Sequence, residues 1–371
     1  MNNNMNSNSV NLASNKYPVY LKHSLDKFVV GQERYKEKIA MSVYKHICHK
    51  VRNPILVIGP SGCGKTHLMM TLKNSNLLPE DYSVMIYDYS RQTPAGITGD
   101  DISSMLQQWK TQCRAEHNTR MRGVIFIDEV DKIIMPNIVN GGENMNAATQ
   151  YQLMNAIAGT EICGVDTSEI LFVLGGAFVA LDEYEGRQHN PIGFINTGVD
   201  EEACETASLR DKLIEIGAVR ELMGRITSIV RIEALNEYEL MALLLHPVNG
   251  VIAQMKKEFE KEGLMLEVES DTYDILINRV LKENLGARSL MNILDSTLDG
   301  SEFYALEHDY QKIRITKDTL NGKMPVYERL NNEYTDKSVS NINALKKEGG
   351  DATPSKQKNE KNRLAPERKS A

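Results

Sequence analysis

A glycine-rich segment constrains the fold and the chemistry of this chain more than any other part of the sequence. It matches the phosphate-loop pattern G-x-x-x-x-G-K-[ST] at every fixed position. Its residues are Gly59, Pro60, Ser61, Gly62, Cys63, Gly64, Lys65 and Thr66. The apolar run at residues 54–58 predicts a buried parallel strand before the segment, and residues 67–72 predict a helix after it. A strand, a loop and a helix in this order are the context that the pattern requires.

Each residue type in the segment suits a chain of phosphates. The glycines let successive backbone N–H groups turn inward, and Lys65 can reach the β- and γ-phosphate oxygens. The Thr66 hydroxyl can hold Mg²⁺ at the positive end of the following helix. Cys63 occupies a variable position, which indicates a space-filling side chain and not a nucleophile. The alternative interpretation is an ordinary glycine-rich turn before a helix.

A second motif lies some sixty residues further along the chain. The apolar residues 124–127 predict a buried strand, and Asp128 and Glu129 follow at its end. Beside bound phosphates, Asp128 would hold the Mg²⁺ shell and Glu129 would polarise the water that attacks the γ-phosphorus. Without the phosphate loop, a solvated turn would explain the two carboxylates equally well. With the loop present, the pair predicts hydrolysis of the nucleotide.

An apolar segment at residues 28–32, which we call the elbow, precedes a predicted amphipathic helix at residues 33–49. Its residues Val29 and Val30 could pack against an adenine base, or they could belong to the core. Because the elbow lies just upstream of the phosphate loop, we keep both residues as candidates for ATP binding.

Strand and helix patterns alternate up to about residue 232, and helical patterns dominate after it. The predicted fold class is α/β: a parallel sheet flanked by helices, followed by a smaller and mainly helical domain with a small sheet. The helix before the last strand of the large sheet is predicted to run unbroken over residues 208–223. The predicted divisions are a disordered N-terminus at 1–16, a sheet domain at 17–232, a helical domain at 233–328 and a disordered tail at 329–371.

The composition of the 371 residues excludes several classes of protein. The formal net charge of −7 argues against nucleic acid as the main ligand, because duplex binders usually carry a basic stripe. Five cysteines without a C-x-x-C pair exclude a zinc ribbon and indicate a reducing compartment. Since no long apolar run and no export leader occurs, we expect a cytoplasmic protein without a membrane span.

Taken together, these motifs resemble the ClpX-type AAA+ ATPases over roughly residues 21–328. The matching segments occur in the family's order at residues 30–33, 59–66, 127–133, 175–178, 224–225 and 285–290. The resemblance implies a homo-oligomeric ring, usually a hexamer, that binds ATP and Mg²⁺ at its subunit boundaries and acts on protein substrates. It also implies that Arg225 is the arginine finger offered to a neighbour's γ-phosphate. Arg288 corresponds to the second sensor, which reaches the phosphates from the helical domain.

Three features depart from the family pattern. The family's N-terminal zinc-binding domain has no counterpart among these residues. Ile97 and Thr98 align with the first pore loop, where the family has an aromatic residue next to an aliphatic one. Since an aromatic ring grips many sequences through its large apolar face, Ile97 predicts a weaker grip. The segment at residues 136–145, placed like the second pore loop, lacks the family's basic residues.

The tripeptide Ile192, Gly193 and Phe194 matches the one by which ClpX-type rings dock on a peptidase ring. An aliphatic and an aromatic side chain on a polar loop could fill apolar pockets of a ClpP-type peptidase. Alternatively, the two side chains could fold back onto the chain's own core.

The sequence leaves three functions in competition. The leading hypothesis is ATP-driven unfolding or remodelling of protein substrates, with possible delivery to a ClpP-type peptidase. A second is an ATPase ring that remodels or regulates one dedicated partner without threading it. A third is a nucleic-acid motor anchored by the basic tail, against which the acidic balance argues.

Overall fold

The computed structural model describes residues 15–89, 101–136, 145–188, 201–283 and 286–330. Ile97 and Thr98, the tripeptide at residues 192–194, most of the second pore-loop segment and nearly all of both terminal segments lie outside these ranges. Predictions about them therefore stay predictions.

The helices of the sheet domain in the described ranges are α1 (Tyr17–Asp26), α2 (Glu33–His49), α3 (Lys65–Asn74), α4 (Asp101–Ala115), α5 (Asp131–Ile134), α6 (Met145–Ala158), α7 (Val179–Gln188), α8 (Glu201–Glu215) and α9 (Arg220–Arg225). Its strands are β1 (Ile55–Ile58), β2 (Ser83–Asp88), β3 (Gly123–Asp128), β4 (Glu161–Ile162), β5 (Val165–Asp166), β6 (Ile170–Gly176) and β7 (Ser228–Arg231).

The helical domain contains α10 (Glu237–Leu245), α11 (Val251–Lys261), α12 (Tyr273–Glu283), α13 (Ala287–Leu298), α14 (Ser301–Glu307) and α15 (Lys317–Leu320). Its strands are β8 (Met265–Val268), β9 (Lys312–Ile315) and β10 (Val326–Glu328).

Five strands form the parallel sheet that the apolar runs predict, in the order β2-β3-β6-β1-β7. Side chains of β1 alternate between its two faces: Leu56 and Ile58 join one apolar cluster, and Ile55 and Val57 join the other. Because successive side chains of a strand point to opposite faces, a continuous apolar run fills the core on both sides of a sheet. The sheet is therefore covered by helices on both faces, which confirms the predicted fold class.

A third apolar cluster holds the helical domain together, and its fully buried members run from Leu235 to Leu320. Three strands in the order β10-β9-β8 lie beside its helices. Since these core residues begin only three positions after Ile232, which belongs to the core of the sheet domain, we propose a domain boundary at residues 232–233. No helix among the described residues is long and apolar enough to cross a bilayer.

The helix predicted over residues 208–223 is broken in two, so that prediction was wrong in its continuity. Helix α8 ends at Glu215, and α9 begins at Arg220. Between them Gly217 has φ of +123°, a conformation that side chains disfavour. A methyl group on Gly217 would lie only 2.7 Å from Pro136 Cδ and 2.9 Å from Ile134 O. The close approach of α5 therefore requires a glycine here and interrupts the helix.

Candidate active site

The phosphate loop lies where its pattern predicts, between the end of β1 and the start of α3 at Lys65. Lys65 is buried, and its Nζ donates to Gly59 O at 2.5 Å and to Pro60 O at 2.8 Å. These contacts hold the ammonium within the loop, where phosphate oxygens would exchange with the carbonyl oxygens. Cys63 is also buried, and burial raises the pKa of its thiol, in agreement with a space-filling role.

The structure brings Thr66 and Asp128 together across 62 positions of sequence. Thr66 Oγ1 donates to Asp128 Oδ2 at 2.5 Å. A methyl group placed on Gly64 would meet no atom within 4 Å, so open space lies beside the loop. A carboxylate and a hydroxyl beside this open space are oxygen ligands of the kind that Mg²⁺ uses together with phosphates. The residues present therefore fit Mg²⁺ bound to a nucleotide.

Glu129 follows Asp128 with a strained backbone. Its φ is +59°, and left-handed conformations of residues other than glycine concentrate at functional sites. The Asp128 Oδ1 atom accepts a hydrogen bond from Glu129 N at 3.0 Å, and the Glu129 carboxylate forms an ion pair with Lys132 Nζ. This hydrogen bond to Glu129 raises the pKa of Lys132. The Glu129 side chain as a whole is 42% exposed on the lining of the cleft, while Oε2, the atom paired with Lys132, is buried.

A cleft of about 560 Å³ opens between the sheet domain and the helical domain. Its polar floor contains the phosphate loop, Asp128 and Glu129. Apolar side chains line both walls, and they are Val29, Val30, Met70, Leu235, Leu243, Val251 and Met291. Ligand sites that combine apolar walls with a few convergent polar groups suit a flat base attached to a charged tail.

The helical domain also touches the phosphate loop directly. Helix α13 begins there, and Ala287 N donates to Gly62 O at 3.1 Å. Arg288 is the next residue, and its exposed side chain lines the cleft. The predicted sensor therefore lies on the same cleft as the loop, although the two are more than two hundred residues apart in sequence.

Arg225 lies elsewhere. It is the last residue of α9, is exposed, and does not line the cleft of its own chain as far as the described residues show. An arginine that contributes to a neighbouring subunit's site must be exposed on the surface of its own subunit, because only an exposed side chain can contact the neighbour.

Comparisons with known proteins agree with this geometry. The family description "P-loop containing dynein motor region" matches residues 34–140. The ClpX ATP-binding subunit of the Clp protease from Treponema denticola is 29% identical over 327 residues, which cover 78% of this chain and 77% of the relative. ClpX 2 from Wolinella succinogenes is 30% identical over 308 residues, 76% of each chain. ClpX from Borrelia duttonii is 28% identical over 344 residues, 82% of this chain and 78% of the relative.

The chain belongs to the ClpX family of AAA+ ATPases. Its motifs are therefore those of a nucleotide-binding P-loop protein, as the sequence predicts. The family resemblance is divergent, since seven in ten aligned residues differ from the relative from Wolinella succinogenes.

Four residues of this ClpX-family site have no role assigned from the sequence. Lys132 pairs with Glu129, and Asp131 Oδ2 accepts from Phe178 N at 3.2 Å, which ties α5 to the end of β6. Asn249 and Gln254 line the cleft from the helical domain. Asn249 and Gln254 stand in no motif recognised in the sequence, so only the tertiary structure identifies them. Of these residues, Lys132 and Asp131 lie within the segment 127–133 that carries the family resemblance.

Among the described residues, no cluster of three His, Cys, Asp or Glu side chains has the arrangement of a metal site. A magnesium ion in this ClpX-family cleft would therefore depend on Thr66, Asp128 and the nucleotide's own phosphates. Mg²⁺ is often held in this way, by one or two protein ligands plus substrate phosphates and water.

Proposed function

We propose that this chain hydrolyses ATP and uses the energy to unfold or remodel protein substrates, as a subunit of a ClpX-like ring. The contact between Thr66 and Asp128, with Glu129 beside it in a cleft lined by both domains, carries the proposal. A strained backbone at Glu129, on the lining of the same cleft, is consistent with a carboxylate placed for catalysis and supports hydrolysis over binding alone.

In the proposed reaction each side chain has one task. Lys65 binds the β- and γ-phosphate oxygens, and the elbow residues Val29 and Val30 contact the adenine. Thr66 and Asp128 would hold Mg²⁺, which when bound draws charge from the phosphate oxygens. The Glu129 carboxylate accepts a hydrogen bond from the attacking water and orients it toward the γ-phosphorus.

Two arginines would complete the site. Arg288 approaches the phosphates from the helical domain of the same chain, so nucleotide binding joins the two domains. Arg225 of one subunit would reach the γ-phosphate in the next, where a guanidinium stabilises the charge of the transition state. Hydrolysis would then change the angle between the domains, and a ring would convert this change into movement of loops at its centre.

The names of the relatives support the finer proposal. Each is described as an ATP-binding subunit of an ATP-dependent Clp protease. We propose on this basis, and on the tripeptide Ile192, Gly193 and Phe194, that the ring can deliver substrates to a ClpP-type peptidase.

The test compares the wild type with Glu129→Gln in two assays: phosphate release from ATP, and unfolding of a tagged fluorescent protein. We expect activity in both for the wild type, and nucleotide binding without turnover for the variant. Hydrolysis by the wild type without unfolding or remodelling of any protein would remove the proposal.

A second candidate is remodelling of one dedicated partner without threading. The residues Ile97 and Thr98 favour it, because they replace the aromatic grip of the family's pore loop. Changing Ile97→Tyr separates the two functions. Faster unfolding of the tagged protein would support threading, whereas unchanged substrate handling would favour the dedicated remodeller.

A further inference from the structure

We propose that Gln32 is a positioning residue whose side-chain amide holds the domain hinge against the elbow and so sets the width of the nucleotide cleft. The inference rests on the proposed ATP-dependent function. It goes beyond that function because it assigns control of the domain angle to a residue that stands outside the phosphate-binding groups.

The elbow ends in a turn whose conformation presents the Gln32 side chain. Gly31 and Gln32 both have left-handed backbones, with φ of 65° and 58°. A glutamine adopts this conformation only where the surrounding structure requires it. Immediately after the turn, Lys36 N donates to Gln32 O at 3.0 Å as α2 begins. The direction of the side chain is thus determined by the start of the helix.

A buried lysine anchors the elbow to the sheet domain. The Lys36 side chain is only 2% exposed, and its Nζ donates to Val29 O at 3.3 Å. The same ammonium lies 2.6 Å from Asp26 Oδ1 and 2.6 Å from Glu33 Oε1. A charge removed from water in this way requires its partners to stay in place. The elbow therefore moves as part of the sheet domain.

On its other side the elbow contacts the hinge. Ile232 N donates to Ile58 O at 2.8 Å, which makes Ile232 the last residue bonded to the large sheet. Gln32 Nε2 donates to the next carbonyl, Glu233 O, at 3.0 Å across 201 positions of sequence. Three residues later Asn236 caps α10, and the Glu239 carboxylate of that helix lies against the turn. The Gln32 bond thus spans the point where the chain leaves one domain for the other.

The position of this bond determines its effect. The elbow contributes Val29 and Val30 to the lining of the cleft, and the chain beyond the hinge contributes Leu235 and Leu243. A bond from elbow to hinge therefore joins two parts of the cleft lining that belong to different domains. Without it, the domains keep the contact of α13 with the phosphate loop but lose a restraint at the hinge. Part of the binding free energy is then used to restore the domain angle. Lys65 and Glu129 lie on the sheet domain, so turnover at saturating ATP should change little.

The test replaces Gln32→Met, which preserves length and neutrality and removes the donor. The control is Gln311→Met, which makes the same change at a half-buried glutamine away from the cleft. Gln311 Nε2 donates to Asp309 O at 2.8 Å, and its Oε1 accepts from Leu330 N at 3.0 Å. Affinity is measured with a fluorescent ATP analogue in the Glu129→Gln background. Turnover and the unfolding temperature are measured in the single variants.

For Gln32→Met we expect affinity about threefold to tenfold weaker, the loss that one net hydrogen bond represents. We expect its turnover at saturating ATP to stay within about twofold, and its unfolding temperature to be no lower than that of Gln311→Met, which loses two side-chain hydrogen bonds. Equal affinity in the two variants would overturn the inference, and so would a lowered unfolding temperature without a change in affinity. Failure of the proposed function would give a different result, because the wild type itself would then bind no ATP.

Discussion

Thr66 and Asp128 show how much of the chemistry depends on single side chains. Each belongs to a motif that the sequence makes visible, but their 2.5 Å contact exists only because β1 and β3 end at the same edge of the sheet. Parallel strands bring their carboxyl ends together, which is where nucleotide sites form in α/β proteins.

The first prediction concerns this contact. In Thr66→Val the hydroxyl is lost at constant shape, and we expect the Mg²⁺ concentration for half-maximal ATP turnover to rise at least about tenfold. Thr66→Ser keeps the hydroxyl and serves as the control, with Mg²⁺ dependence close to wild type. Phosphate release measured over a Mg²⁺ titration distinguishes the two variants. If Thr66→Val and Thr66→Ser show the same Mg²⁺ dependence, Thr66 is not a ligand of Mg²⁺.

His46 permits a second prediction, at the opposite edge of the sheet. Its Nδ1 lies 2.6 Å from Tyr82 Oη, and Arg122 donates to His46 O at 2.6 Å. Burial, together with the charges of Arg122 and Arg52, lowers the pKa of His46 from 6.5 to about 4. Below pH 6.5 the unfolded chain therefore binds a proton that the folded chain does not, and folding becomes less favourable as the pH falls.

Between pH 7 and pH 5 this histidine should remove about 2 kcal/mol from the free energy of unfolding. Urea denaturation at both pH values measures the loss. His46→Gln should be less stable at pH 7 but lack this part of the pH dependence. The control is His49→Gln, which changes an exposed histidine and should retain the pH dependence of the wild type. Parallel pH profiles for wild type and His46→Gln would contradict the assignment.

At the scale of elements, the decisive contact is the docking of α13 on the phosphate loop. Gly286 precedes the helix with φ of +62°, and a methyl group there would lie 2.9 Å from Gly62 O and 3.0 Å from Gly62 C. Backbone atoms cannot move aside as a flexible side chain can. A larger residue must push the helix, and Arg288 with it, away from the loop.

The third prediction follows for Gly286→Ala. We expect ATP affinity to fall by about tenfold or more, because the start of α13 is displaced from the loop. Gly263→Ala is the matched control: Gly263 also has a positive φ, of +76°, but a methyl group there meets nothing within 4 Å. Nucleotide titration should separate the two variants even if both lose about 1 to 2 kcal/mol of stability through backbone strain. Equal ATP affinities of the two variants would show that nucleotide binding does not depend on the close contact between α13 and the phosphate loop.

Secondary structure was predictable where a local pattern decides it. The buried strands and α2 follow from apolar runs and helical spacing, and their limits agree with the sequence to within a few residues. The break between α8 and α9 was not predictable, because Gly217 lies in a helical pattern and its conformation depends on Pro136, which is 81 positions away. A contact with a distant segment leaves no periodic signal.

At the scale of the whole molecule, the proposed ring places one residue of each active site, Arg225, on the neighbouring subunit. Arg225 is exposed and stands apart from its own cleft, whereas Lys65, Asp128 and Glu129 line it or lie at its floor. In a closed ring of identical subunits, each subunit would supply its Arg225 to the nucleotide site of the next subunit.

The fourth prediction uses this division. Glu129→Gln and Arg225→Ala should each abolish ATP turnover when assembled alone. The two kinds of ring are dissociated into subunits, mixed and reassembled. In a mixed ring, some sites combine the intact Glu129 of an Arg225→Ala subunit with the intact Arg225 of a neighbouring Glu129→Gln subunit. We expect turnover to return at these sites. Phosphate release by the mixture measures it. If the mixture stays inactive while mixed rings form, Arg225 does not act on the next subunit.

The sequence by itself determined the fold class, the phosphate loop and the two acidic residues after β3, because a nucleotide site needs these residue types in a contiguous order. It could not determine which distant groups complete the site. The direct hydrogen bond between Thr66 and Asp128 and the docking of Gly286 on the loop are set by how strands and domains pack. The hinge contact of Gln32 is of the same kind, since it joins residues 201 positions apart. Local sequence patterns determine secondary structure and short motifs. The cleft, by contrast, is formed by residues from distant parts of the chain that come into contact only in the folded protein.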